Sequence, residues 1–451
     1  MKPVDALATK TETGHTGTLT AEQERKLQQF WLLLLAAFAT ESEPDAAAPE
    51  AAPPQNPPAA GPRAGRAPAH HQVDLGQRAV TPGPLQQTWL AMLRHESPDA
   101  LLLRFLRARK WDVAAAHAML LAALAWRRGN GDVDSRGEAW CAARERNGTE
   151  AEKKEGGEFL EQHRLGKVYL RGVDRRGRPV GYVHVAAHKP GMQSQATIRR
   201  LVVQMIETAR CLFSGPPCEA FCVVFDLTGF SLSTMEWQPV SFIIQAFEAN
   251  YPECLGSLLI HNAPWIFSGV WKIIRPLLDP VVASKVDFTR SLADLEKYIP
   301  KENIISRIGG ADAWRYAYVE PAEDEDACMA LGDEREAIEA ERREIAGRFL
   351  AATQAWIKHV DAGEREDAAV QAELRSTEIE VLRIHYWRLD PYVRSRTNLD
   401  RTGVIGPGGV IEFYPDRKAA AAVVAEDKKE EIDAQLEDSG ITSHQEVAAA
   451  G

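Results

Sequence analysis

The chain lacks any apolar run long enough to cross a bilayer: its longest, Trp31-Leu32-Leu33-Leu34-Leu35-Ala36-Ala37-Phe38, falls far short of the ~20 residues a spanning helix needs. That run follows Glu22, Glu24, Arg25 and Lys26, not a basic N-terminus, so a signal peptide fits badly. The end, Ala448-Ala449-Ala450-Gly451, carries no prenylation cysteine. There is no excess of basic residues either. The formal net charge is −11, which makes nucleic acid a poor partner for the whole molecule. The six cysteines have no disulfide-framework spacing, and the lone C-x3-C at Cys218 and Cys222 lacks a second ligand pair. Free thiols in a reducing compartment, with no metal, are the expectation. G-x-G-x-x-G and G-x4-G-K-[ST] are absent, so dinucleotide and P-loop chemistry are not signalled and no cofactor is expected.

What is present divides the chain. Residues 1–19 read as a loose tail. Thr20-Ala21-Glu22-Gln23 is a capping box that opens a helix over 20–40. From 41 to 86 the composition turns to Ala and Pro, with ten of the 26 prolines by residue 87, and predicts a disordered insertion. Residues 87–145 are helical in pattern, broken at Lys110-Trp111, with Asp112 able to cap the next helix. The helix over 20–40 is expected to pack here across the insertion. From 155 to 315 strands alternate with helices, which implies a mostly parallel sheet. The strands are placed at Lys167–Arg171 and Val180–Val185, joined by an Asp174–Gly177 hairpin turn, and at Ala220–Leu227, Ser257–His261 and Val286–Phe288. Residues 320–451 form a helical extension, one helix from about Asp333 to Tyr386, fraying after Ala419. Its charge-dense start, Glu334–Glu344, reads as a solvated face.

Two features of the α/β region invite function. In Gly229-Phe230-Ser231-Leu232-Ser233 the position that must be Gly in a nucleophile elbow is Ser233, so a serine-hydrolase reading of Ser231 is remote. Read as an extended segment, the same stretch would turn both Ser231 and Ser233 to one side. Downstream, Trp265, Phe267, Val270, Trp271, Ile274 and Leu278 give a strongly apolar helix with few charges apart from Lys272 and Arg275. Such a helix suits a lid over an apolar cavity or contact with a membrane interface, and an ordinary core helix is the plain alternative.

Leu102-Leu103-Arg104-Phe105-Leu106-Arg107-Ala108-Arg109-Lys110-Trp111-Asp112 resembles the N-terminal signature of the CRAL-TRIO family. Asp174–Val180, Asp226-Leu227-Thr228-Gly229, and Asn250-Tyr251-Pro252-Glu253 through Lys285 match that family's lipid-binding domain in order. The similarity covers about 87–312 plus the first helix, and is greatest to fungal phosphatidylinositol/phosphatidylcholine transfer proteins. Leu389–Arg396 resembles the C-terminal extension of a fungal branch.

The resemblance implies an α/β fold: a mostly parallel sheet flooring an apolar pocket, a small all-helical lobe before it and a helical extension after it. It implies one lipid beneath a gate helix at about 265–278, exchanged at a transient membrane surface by a cytoplasmic, non-enzymatic carrier. The positions that match its inositol-phosphate site are Arg109, Glu253 and Lys285. Val282 replaces a headgroup threonine and Cys254 an arginine. Of the choline-lipid positions Ser231 and Ser233 keep hydroxyls, but Gly181 replaces a tyrosine, and alternation would turn the adjacent Tyr182 to the opposite face. Phosphatidylinositol leads as ligand, followed by a neutral lipid (a sterol or isoprenoid) presented to a lipid-modifying partner enzyme. Arg94, Arg104, Arg107, Lys110, Arg127 and Arg128 make the helical lobe basic, which would steer it to anionic lipids; ordinary solvation explains such a set as well.

Overall fold

A computed structural model describes residues 13–41, 83–130, 133–215 and 218–419. In chain order the helices and strands are α1 (Ala21–Glu41), α2 (Pro84–Leu93), α3 (Pro98–Ala108), α4 (Val113–Gly129), α5 (Glu138–Asn147), α6 (Glu150–Arg164), β1 (Val168–Val173), β2 (Pro179–His184), α7 (Gln195–Cys211), β3 (Phe221–Asp226), α8 (Trp237–Gln245), β4 (Leu255–His261), α9 (Phe267–Ile274), α10 (Pro280–Ser284), β5 (Val286–Thr289), α11 (Leu292–Leu295), α12 (Gly332–Ala362), α13 (Arg365–Val393) and α14 (Asn398–Arg401). They form two compact units. One comprises residues 1–133, 243–254 and 331–390, the other 134–242, 255–330 and 391–451. Most of the predicted Ala/Pro insertion, the first twelve residues and those after 419 lie outside the described residues.

The first unit is helical. Thr20 and Gln23 exchange both capping hydrogen bonds at the start of α1, and Asp112 caps α4 through the Ala115 amide (2.9 Å). α1 packs on α2, α3 and α4, as its apolar stripe requires. Phe30, Trp31, Leu34, Trp89, Phe105 and Leu120 share one core with Phe349, Ala346 and Leu382 of α12 and α13. The long extension therefore supplies part of this core. Its charges have a structural purpose. The buried Asp99 carboxylate accepts from Trp31 Nε1 (2.8 Å) and from the Arg375 guanidinium, whose Nη1 lies 2.6 Å away and whose Nε donates to Thr353 Oγ1 (2.9 Å). Arg342 donates to the main-chain oxygens of Leu382 (2.8 Å) and Arg94 (2.6 Å), and burial depresses its pKa to about 10.

Several expectations need correction here. The predicted single helix over 333–386 is two, because Gly363 adopts φ 74° and ends α12 in a left-handed cap. α13 continues past Pro391 to Val393. Arg342 is a buried member of the supposedly solvated face. Arg94, Arg104 and Arg127 are buried too, and Arg104 is ion-paired with Glu96, so they make no basic membrane surface. Residues 13–18 of the predicted tail form turns, with Arg107 Nη1 donating to the Gly14 carbonyl (2.7 Å).

The second unit is built on a five-stranded sheet of order β1-β2-β3-β4-β5, parallel except for the β1–β2 hairpin. The Asp174 carboxylate accepts from the Arg176 and Arg178 amides (both 2.9 Å) and fixes the hairpin turn. Alternation gives the sheet two faces. Tyr169, Val180, Tyr182, Cys222, Val224 and Leu259 point to one face and are fully packed beneath Leu295, Ile299, Ile304 and Ile305. The described end of the chain closes this unit. Arg401 is ion-paired with Glu138 and with Glu325 (2.8 Å), and Arg171 with Asp312 (2.8 Å) and Asp416 (2.6 Å). The Tyr414 hydroxyl accepts from the Val173 amide (3.0 Å). All six cysteines are free thiols, five of them buried.

Two carboxylates make this unit acid-sensitive. Burial alone would raise Asp400, but two hydrogen bonds from the Arg394 guanidinium (2.7 and 2.9 Å) outweigh it and hold the pKa at about 2. Asp226 is likewise held at about 2 against burial by His184 Nδ1 (3.1 Å) and the Thr228 hydroxyl and amide. Both values lie below the ~3.9 of an unfolded aspartate, so their stabilisation is complete above that pH and is lost as pH falls toward 2. Each contributes about 2 kcal/mol near neutrality. Urea midpoints are expected to drop between pH 5 and pH 2.5, less steeply in Asp400→Asn than in the wild type. Parallel profiles would show that Asp400 does not contribute.

Candidate lipid site

The opposite face of the sheet is apolar but incompletely covered. Val183, Val223, Phe225 and Leu258, interleaved with the buried residues named above, are only half-buried. Neither strand propensity nor core packing explains four adjacent aliphatic and aromatic side chains left open in this way. Gly181 continues the same row, where even a β-carbon would lie 3.4 Å from Leu170. Tyr182 turns to the buried face, as alternation requires. These floor residues were missed in the sequence, although the two-residue spacing of Val183 and Val185 and of Val223 and Phe225 carries three of them.

Over part of this floor lies α9. Phe267 and Val270 are its buried anchors, packed with Leu227 and Ile260, and Trp271 and Ile274 contact the same cluster. The Phe267 ring meets Phe230 edge-on at 5.4 Å, and Trp271 meets Phe288 edge-on at 5.4 Å. The helix is shorter than the expected 265–278. Trp265 lies in the turn before it, and after Ile274 the chain tightens into a 3-10 turn at Arg275–Leu277, where Pro276 has no amide to continue the α ladder. Leu278, expected on the gate helix, follows that turn in extended conformation. Other apolar side chains of this segment face solvent. Trp265 is 85% exposed and Ile273 56%, and Leu232, Trp237, Leu277, Val281 and Phe288 are exposed nearby in sequence or on the same elements. Trp265, Trp237, Leu232, Met235, Val270 and Ile273 line a cleft of about 620 Å³. Lys272 and Arg275 are exposed on the same segment.

Ser231 and Ser233 are brought together, with hydroxyls 2.8 Å apart, but by a 3-10 turn over Leu232–Thr234 and not by an extended strand. The turn is closed by a capping box between Ser231 and Thr234. Of the headgroup candidates, Arg109 is exposed at the C-terminal cap of α3, before Lys110 and Trp111 at φ 51° and 66°. Glu253 holds φ 57° in the turn after Tyr251-Pro252, a strained conformation for a residue with a β-carbon. Its neighbours Pro252 and Cys254 are buried, and the Tyr251 ring meets Trp126 edge-on at 5.9 Å. Lys285 caps α10 and enters β5, its carbonyl accepting from the Leu258 amide (2.8 Å). Arg109 and Glu253 thus belong to the first unit and Lys285 to the second.

The sequence matches the CRAL/TRIO domain over residues 163–310 and the CRAL/TRIO N-terminal domain over 68–122. A CRAL-TRIO domain-containing protein of Schizosaccharomyces pombe is 42% identical over 312 residues, covering 69% of this chain and 67% of its own. The phosphatidylinositol transfer protein CSR1 of Eremothecium gossypii is 36% identical over 440 residues, covering 87% of this chain and 98% of its own. The chain belongs to the CRAL-TRIO family. The SEC14 cytosolic factor of E. gossypii is also similar, 33% identical over 233 residues, 47% of this chain and 69% of its own. Similarity to CSR1 extends beyond the two CRAL-TRIO domain matches, over nearly the whole of that relative. Among the described residues, no helix of this CRAL-TRIO protein is long and apolar enough to cross a membrane.

Proposed function

We propose that this CRAL-TRIO protein holds one lipid against the open face of its sheet beneath α9 and exchanges it between membranes. The half-buried apolar floor under a short, outwardly apolar helix carries this reading. Each exposed CH2 of an acyl chain costs about 0.8 kcal/mol, so a lipid in transit needs such a cover and leaves when the cover opens at a bilayer. The exposed tryptophans beside Lys272 and Arg275 suit an anionic membrane surface, met reversibly from the cytoplasm. Exchange makes and breaks no covalent bond, so the chain acts as a carrier and not as an enzyme, and Ser231 is expected to stay unlabelled by a fluorophosphonate probe.

Phosphatidylinositol is the ligand favoured by the similarity to CSR1, with Lys285 as the candidate contact to its phosphate. One observation favours a second reading. Cys254 is buried and Val282 half-buried, and neither offers a headgroup the polar contacts of an arginine or threonine, which suits a sterol or isoprenoid presented to a partner enzyme. Mass spectrometry of lipids extracted from the purified protein separates the two. Phosphatidylinositol is expected in the wild type and at least tenfold depleted in Lys285→Ala. A neutral lipid carried equally by both proteins would keep the carrier and discard the headgroup site.

A further inference from the structure

A second cavity lies within the sheet unit, at its far edge from β5. Among the described residues strand β1 pairs with β2 alone in the sheet, and four of its consecutive residues, Val168 to Arg171, border a space of about 520 Å³. Protein interiors leave few voids much larger than a water molecule, and this volume falls within the range of small-molecule sites. Met205 of α7 and Leu399 and Val404 of the C-terminal segment supply aliphatic walls. One wall is aromatic: Tyr169 and Tyr316 are stacked with centroids 4.6 Å apart at 15°, and Trp314 stands edge-on to Tyr169 at 5.6 Å.

The charges around the cavity are already balanced. Arg171 is held by Asp312 and Asp416, and Glu138 by Arg401. The buried His163 bonds Gln204 through Nε2 (3.0 Å), and burial lowers its pKa below the ordinary histidine value. An ionic occupant would lose its hydration without finding an opposite charge to compensate. The remaining polar groups are neutral and include the hydroxyls of Thr208 and Thr402, the Asn398 amide and the main chain of an edge strand. Thr402 Oγ1 already donates to the Asn398 carbonyl (2.7 Å), and the Asn398 amide donates to the Ala317 carbonyl (3.2 Å) and accepts from the Val319 amide (3.0 Å). We propose that this cavity is a second ligand site, for a neutral flat-ring molecule carrying a hydroxyl, keto or amide group. The ring lies on the Tyr169–Tyr316–Trp314 wall, and its polar group meets Thr208, Asn398 or the edge of β1. Val168 and Leu170 share the sheet face of Gly181 and Val183, but the cavity borders the β1 edge and none of its lining comes from α9 or from β3 to β5, so it is tested separately from the lipid reading.

Methionine-methyl NMR of the full chain with 2-naphthol as probe tests it, because Met205 lines this cavity and Met235 the cleft beside α9. A saturable ring-current shift at Met205 without one at Met235 is expected. Thr208→Trp, which fills the cavity, and Thr402→Trp, on the exposed rim, are each expected to weaken that shift's apparent affinity at least tenfold. The rim variant decides the matter if the buried one misfolds. A shift confined to Met235, a Met205 shift that never saturates, or affinity unchanged in a folded Thr402→Trp would overturn the proposal.

Discussion

Trp265→Asp combined with Ile273→Asp is expected to weaken association with phosphatidylinositol-containing vesicles at least a hundredfold and to slow lipid transfer in step. Both side chains are largely exposed, so the fold has little to lose from either change. Burying one large apolar side chain is worth about 1.5–3 kcal/mol, and tenfold in affinity is about 1.4 kcal/mol. Two such side chains turned from favourable to charged at a bilayer surface account for the expected hundredfold. Val370→Asp is the control. Val370 is 61% exposed on α13, away in sequence from α9, and its substitution should leave vesicle binding and transfer unchanged. Transfer undiminished in the double variant, with the melting temperature intact, would show that α9 is not the surface that meets the membrane.

Arg375→Ala is expected to lower stability by about 3–5 kcal/mol, the cost of stranding a buried carboxylate whose charge partner has been removed. Among the described residues Asp99 would keep only its Trp31 indole donor, and the rings of Trp31, Phe349 and Trp356 would lose the guanidinium that lies within 5.6 Å of each. Arg375→Met with Asp99→Asn should recover much of the loss, because no buried charge remains and the amide oxygen still accepts from Trp31. Arg388→Ala, which breaks an exposed pair with Glu341, should cost less than about 1 kcal/mol. Equal denaturant midpoints for Arg375→Ala and Arg388→Ala would mean that the buried pair contributes no more than a surface one.

That second result bears on what a sequence can show. The parallel sheet, the hairpin at Asp174, the caps at Thr20 and Asp112 and the apolar character of α9 were all legible, because each rests on local pattern: alternation, a turn tetrapeptide, a capping spacing, a run of large side chains. The purpose of α12 and α13 was not. Arg342 and Arg375 sit among exposed charges at ordinary helical spacing, and only the partners Asp99 and the Arg94 carbonyl, more than 240 residues away, set them apart. The same blindness placed Arg94 and Arg104 on a basic surface when each is buried, since a charged residue reads as solvated until its counter-ion or backbone partner is known. α9 was drawn too long because its apolar run outlasts its helix, which Pro276 cuts short. The headgroup candidates came from resemblance, and the floor residues Val183, Val223, Phe225 and Leu258 emerged only when the uncovered face of the sheet was seen. The cavity beside β1 had no local signature at all, for its walls come from five separate stretches between Glu138 and Ala419.

The helical unit closes only when α12 and α13 join α1 to α4, and those two groups are separated by more than 200 residues of chain. On a ribosome adding about 5–20 residues per second, roughly 10–50 s pass between emergence of α4 and emergence of α13. Throughout that interval Trp31, Trp89 and the carboxylate of Asp99 have been made but their covering helices have not. The newborn chain thus carries an open aromatic core beside an unneutralised acid, the kind of surface that chaperones bind and aggregates recruit. Synthesis of this protein is consequently more exposed to misassembly than that of a CRAL-TRIO chain whose helical lobe is complete at its N-terminus.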